Sequence, residues 1–88
     1  MGYYLVYIAQ DSMDSACAED LSESRVFNDM AAAETYYEKE EKDNAPDCMQ
    51  LIRCEFINGT LTPTAELRRC GYLARTFALR IPLQNGKE

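Results

Sequence analysis

Histidine and tryptophan are absent from this chain, and proline and glycine number only three and four among its 88 residues. Histidine has the side-chain pKa closest to neutrality, so its absence removes Ser-His and Cys-His nucleophile pairs and leaves any acid–base work to carboxylates. No GxGxxG, P-loop or HExxH string occurs. The four cysteines, Cys17, Cys48, Cys54 and Cys70, form no CxxC, and their intervals fit no zinc pattern. We therefore expect no metal, no cofactor and no catalysis. The amino terminus has no basic leader-like stretch, and no apolar run approaches the ~20 residues that cross a bilayer. These absences point to a cytoplasmic protein with no membrane partner, whose thiols stay reduced and mostly buried.

What is present is a polarised charge distribution. The first 47 residues hold twelve acids against Arg25, Lys39 and Lys42, and the remaining 41 hold six bases and three acids, for a net charge of −6. A chain of that sign is repelled by phosphate backbones, so nucleic acid is disfavoured as a direct ligand. Apolar residues make up 47% of the chain and there are nine aromatics, six of them tyrosine, which is a folding composition despite the acidity. Residues 1–88 read as one compact domain, with 83–88 a polar tail. No repeat, linker or low-complexity tract interrupts it.

Residues 3–9 (YYLVYIA) are unbroken, β-branched and aromatic, the pattern of a strand covered on both faces. Residues 11–24 fit either one or two helical turns behind Ser12 or Asp11, or a long acidic loop. Asn28 looks like an N-cap for a helix running to Lys42, with Met30, Ala33 and Tyr37 as its buried stripe and Ala32 and Tyr36 at the margins. Residues 48–57 alternate as a second strand, with Ile52, Cys54 and Phe56 inward. Asn58-Gly59 then suits a two-residue type I′ hairpin leading into a short third strand over 60–62. After Pro63 the pattern is ambiguous. A helix capped by Thr62 places Leu67, Cys70, Leu73, Phe77 and Ile81 on one face, whereas residues 73–81 also alternate as a strand; the Thr-Pro start favours the helix. The expectation is an α+β domain in β-α-β-β-α order, a small, mainly antiparallel three-stranded sheet on two helices, with its first two long strands potentially parallel.

Two surfaces stand out for function. Glu34, Glu38 and Glu41 line one side of the helix and are extended by Glu40 and Asp43, with Tyr36 as an aromatic neighbour. Arg68, Arg69, Arg75 and Arg80, with Tyr72, form a candidate second surface. In size and charge the chain resembles the small inhibitors of phages and other mobile elements, anti-CRISPR and anti-restriction proteins among them. That resemblance implies a non-catalytic role in host-defence evasion, docking the acidic helix on a basic, nucleic-acid-holding surface of a larger complex. The alternative is a structural homodimer or assembly subunit in which the acidic helix meets the arginine-rich segment of a second copy. A third reading, a minimal carboxylate enzyme, requires a cleft holding two acids about 5 to 9 Å apart.

Overall fold

A computed structural model of the chain describes residues 2–11, 19–20, 23–72 and 78–79. Five strands and one helix occur among them: β1 (Tyr3–Asp11), β2 (Glu19–Asp20), β3 (Arg25–Phe27), α1 (Met30–Asn44), β4 (Cys48–Ile57) and β5 (Thr60–Cys70). The class is α+β, as the composition of elements implies, but the order is β-β-β-α-β-β.

β1 pairs antiparallel with β4 over its whole apolar run, from Tyr3 opposite Cys54 to Ala9 opposite Cys48. The parallel pairing is thus corrected to antiparallel, and the reason is β3. This three-residue strand lies antiparallel to β1, with Tyr4 opposite Phe27, and reverses the chain before the helix begins. The helix crossover therefore joins β3 to β4, which run in the same direction on opposite edges of β1. Ser24 leads into β3 and stands in for a strand residue: its hydroxyl accepts from the Ile8 N–H at 2.8 Å and donates to the Ile8 carbonyl at 3.1 Å.

Alternation along β1 and β4 divides the core into two layers. Val6, Ile8, Met49 and Leu51 face α1 and pack on Ala33 and Tyr37, with Tyr4, Phe27, Met30, Tyr36 and Cys70 around them. Tyr7, Ala9, Cys48, Ile52 and Cys54 face away from the helix, under Tyr3, Leu5, Leu61, Ala78 and Leu79. Both faces of the two central strands are covered, which is why β1 reads as a continuous apolar run, while β4 is buried from Cys48 to Ile52 with Gln50 the polar residue among them. Phe56, expected inward, is exposed and meets Tyr3 edge-to-face, with ring centroids 5.1 Å apart.

The helix begins one residue later than its sequence suggests. Asp29, not Asn28, is the N-cap, and its carboxylate accepts from the Ala32 N–H at 3.1 Å. The helix ends at Asn44, where Ala45 adopts a left-handed conformation and its N–H reaches the Glu40 carbonyl.

Asn58 and Gly59 both have positive φ, +53° and +81°, as the expected hairpin requires. Beyond it, the helix expected after Pro63 is corrected: β5 continues to Cys70. Two β-bulges interrupt its alternation. Leu51 pairs with Arg68 and Ile52 with Glu66, leaving Leu67 extra; Arg53 pairs with Ala65 and Cys54 with Pro63, leaving Thr64 extra. Each bulge stretches the two-residue strand repeat to three, so Thr62, Ala65 and Arg68 share one face and Pro63, Glu66 and Arg69 the other. Three-residue steps are also the signature of a helix. Pro63 lies beside a bulge in β5, the edge strand of the described sheet, where a proline is tolerated, and the neighbouring Thr64 hydroxyl donates to the Arg53 carbonyl at 3.1 Å. Of residues 11–24, expected as helical turns or an acidic loop, Asp11 instead ends β1 and Glu19–Asp20 form β2, which pairs back on Gln10 and Asp11; the readings of residues 12–18, 21–22, 73–77 and 80–88 lie outside the described residues.

Candidate functional site

The helix stripe of Ala33 and Tyr37 continues one turn further and lands on Glu40, which is only 4% exposed. Expected on the outer surface, Glu40 is instead turned inward, where its carboxylate accepts from the Asn44 side chain at 2.7 Å and lies 3.9 Å from the Lys39 ammonium. Asp43 is exposed and pairs loosely with Lys39 at 4.0 Å. Glu34 makes no ion pair among the described residues.

Glu38 and Glu41 are joined by an arginine from the sheet. Arg68, on the helix-facing side of β5, places its guanidinium 4.4 Å from the centroid of the Tyr37 ring, 3.2 Å from Glu38 and 3.8 Å from Glu41. The acidic helix and the arginine-rich segment thus meet within one chain at Arg68. Between positions 34 and 43 five carboxylates remain against Lys39, Lys42 and Arg68, so the helix retains a net charge of −2.

Arg69, next in sequence, goes to the other side of the sheet. It forms a bidentate pair with Glu66, at 2.7 and 3.0 Å, and the arginine hydrogen bonds hold the Glu66 carboxyl below the usual carboxylate range. Glu66 accepts in turn from the fully buried Gln50 amide at 2.6 Å. The Gln50 carbonyl oxygen accepts from the Leu79 N–H at 2.8 Å, pinning that residue to the helix-free face. Arg75 and Arg80, the other members of the expected arginine surface, lie outside the described residues.

Tyr36 is occupied internally. Its hydroxyl donates to the Glu23 carbonyl at 2.6 Å and accepts from Arg25 at 3.3 Å, while its ring packs on Phe27. It clamps β3 to the helix. Tyr72 is 81% exposed. With Glu41, Ala45, Pro46, Cys70 and Gly71 it lines a pocket of about 240 Å³ at the corner where α1 and β5 both end. Gly71 makes this corner possible: its φ is +104°, and a Cβ there would meet the Asp47 carbonyl oxygen at 2.5 Å. No composition signal announces the pocket, because its two walls are distant in sequence.

Cys48, Cys54 and Cys70 carry thiols, not disulfides. Burial pushes the Cys54 and Cys70 thiols up, away from the thiolate a nucleophile needs. The Tyr37 hydroxyl is likewise raised by burial and by its hydrogen bond with Cys70. Among the described residues no group of three or more His, Cys, Asp or Glu side chains is placed to hold a metal ion. No described helix is long and apolar enough to cross a membrane. In comparisons with protein-family models, curated proteins and solved structures, the chain matches none.

Proposed function

We propose that this chain is a non-catalytic protein-binding module that lays the outer face of α1 on a basic surface of a larger complex and blocks it, in the manner of anti-restriction or anti-CRISPR inhibitors. The observation that supports this reading is the residual negative charge on the helix: Glu38, Glu41 and Asp43 are exposed and Glu34 is half-buried, and Arg68 offsets only part of their charge. A surface built to hold nucleic acid has the complementary potential, and such complementarity raises the association rate. The homodimer reading needs acidic helix and arginine to pair between copies, whereas here Arg68 makes that pairing within one chain.

Glu34→Lys with Asp43→Lys is the informative variant, since neither carboxylate holds Arg68. Capture on a poly-L-arginine surface should fall at least about tenfold, the equivalent of ~1.4 kcal/mol. The matched reversal of Glu23 and Glu55, off the helix, should change it less than about twofold. Equal losses from both pairs would reduce the interaction to net charge and end the proposal. Affinity purification from the native host with mass spectrometry then identifies the partner.

A further inference from the structure

Side chains on a sheet stand perpendicular to it, so a residue there is sealed from water only when something outside the sheet lies over it. On the helix side that cover is α1. On the helix-free side Ala9, Cys48, Ile52 and Cys54 are at most 1% exposed. Tyr3, Leu5 and Leu61, which pack on this layer, belong to its own strands. Among the described residues, the cover from outside the sheet is Ala78 and Leu79.

These two residues are held differently from the rest of the fold. They lie in no strand or helix. Leu79 is bonded to a single side chain: its N–H donates to the Gln50 carbonyl oxygen at 2.8 Å, and the Gln50 amide nitrogen donates to its carbonyl at 3.5 Å. A glutamine amide carries a donor and an acceptor side by side, as a peptide group does, so the fully buried Gln50 takes the place of a partner strand. Glu66, itself held by Arg69, accepts from the same amide nitrogen at 2.6 Å and fixes the orientation of the amide. β1 and β4 are joined by a continuous ladder from Tyr3 opposite Cys54 to Ala9 opposite Cys48, which opens as a unit. A segment held by one side chain can open alone.

We infer that Ala78–Leu79 is a strap latched by Gln50, and that it lifts from the helix-free face while the sheet and α1 stay folded. Lifting uncovers the layer beneath it, including the buried Cys48 and Cys54 thiols. Cys70, on the helix side and half-buried, stays as it was. The strap is independent of the acidic-helix reading, because α1 covers the opposite face.

Labelling of the full chain with iodoacetamide at rising urea concentrations, resolved cysteine by cysteine by peptide mass spectrometry, tests the strap. Below the unfolding transition, labelling of Cys48 and Cys54 should rise with urea far less steeply than global unfolding does, since lifting a short segment exposes little surface. Gln50→Met should speed labelling of both at least about tenfold, in keeping with the loss of a buried hydrogen-bond partner, and leave Cys70 within about twofold of the parent. Leu79→Pro, which removes the N–H at the other end of the latch, should do the same and replaces Gln50→Met if that variant does not fold. Labelling of Cys48 and Cys54 in the parent with the full urea dependence of global unfolding overturns the strap. Unchanged labelling in both variants removes Gln50 as its latch, and acceleration of Cys70 by the same factor shows that the whole fold, not a strap, has loosened.

Discussion

The two faces of the sheet are closed by different means. On the helix side, Val6, Ile8, Met49 and Leu51 meet Ala33 and Tyr37, with Glu40 buried one turn further along the helix and Arg68 spanning the exposed Glu38 and Glu41. On the opposite side a polar chain penetrates the layer: Arg69 holds Glu66, Glu66 holds Gln50, and Gln50 holds the backbone of Leu79. Arg68 and Arg69 are sequence neighbours, yet one joins a surface network and the other anchors a buried amide. A run of arginines in a strand is therefore two half-patches facing opposite ways.

The greatest expected difference between the faces lies at Gln50. Gln50→Met keeps the side chain's length but leaves the Leu79 N–H and one Glu66 oxygen without their amide partner. A loss of about 2 kcal/mol should follow, within the range for unsatisfied buried groups, measured as a shift in the urea midpoint at constant slope. Hydrogen exchange at Leu79 should accelerate in the same variant. An unchanged midpoint would mean that apolar contact alone holds this segment down.

Acid should loosen the helix-free face through Glu66. Its folded-state pKa is depressed, chiefly by Arg69, so its contribution to stability is complete above the unfolded carboxylate value of about 4.3 and disappears as pH falls through the lower folded value. Glu66→Gln should flatten that part of the stability–pH curve. A curve identical to that of the parent would assign the acid sensitivity to other carboxylates.

The smallest stability effect belongs to Arg68. Its ion pairs are exposed, and Arg68→Met should cost under about 1 kcal/mol in denaturant unfolding. The functional effect runs the other way: removing the positive charge unmasks Glu38 and Glu41 and should tighten capture on poly-L-arginine. Weakened capture would show that the guanidinium is part of the binding surface.

Several elements were legible because their signals are local. The apolar run of β1, the stripe of Ala33 and Tyr37 and the Asn58-Gly59 turn each act within a few residues and appear where expected, whereas β4 is a strand without the expected alternation, buried from Cys48 to Ile52 with Phe56 exposed. β3 was not legible, since three residues with exposed or half-buried side chains carry no period and depend on pairing with β1. β5 was misread because Thr62-Pro63 imitates a helix start and much of the apolar spacing that suggested a helix lies beyond Cys70, while the bulges at Thr64 and Leu67 that interrupt its alternation are visible only against the partner strand. Of the acidic helix, Glu38, Glu41 and Asp43 are exposed and Glu34 half-buried, while Glu40 follows the buried stripe.

The amino-acid sequence by itself determined the α+β class, the two-sided burial of the central strand, the helix and its acidic character, because periodicity, capping and turn propensity act over short stretches of chain. Tertiary structure alone decided which carboxylates an arginine would offset, which face Gln50 would clamp, and that Glu41 and Tyr72 would frame one pocket. Those outcomes depend on strand direction and register, and a shift of one residue sends a side chain to the opposite face.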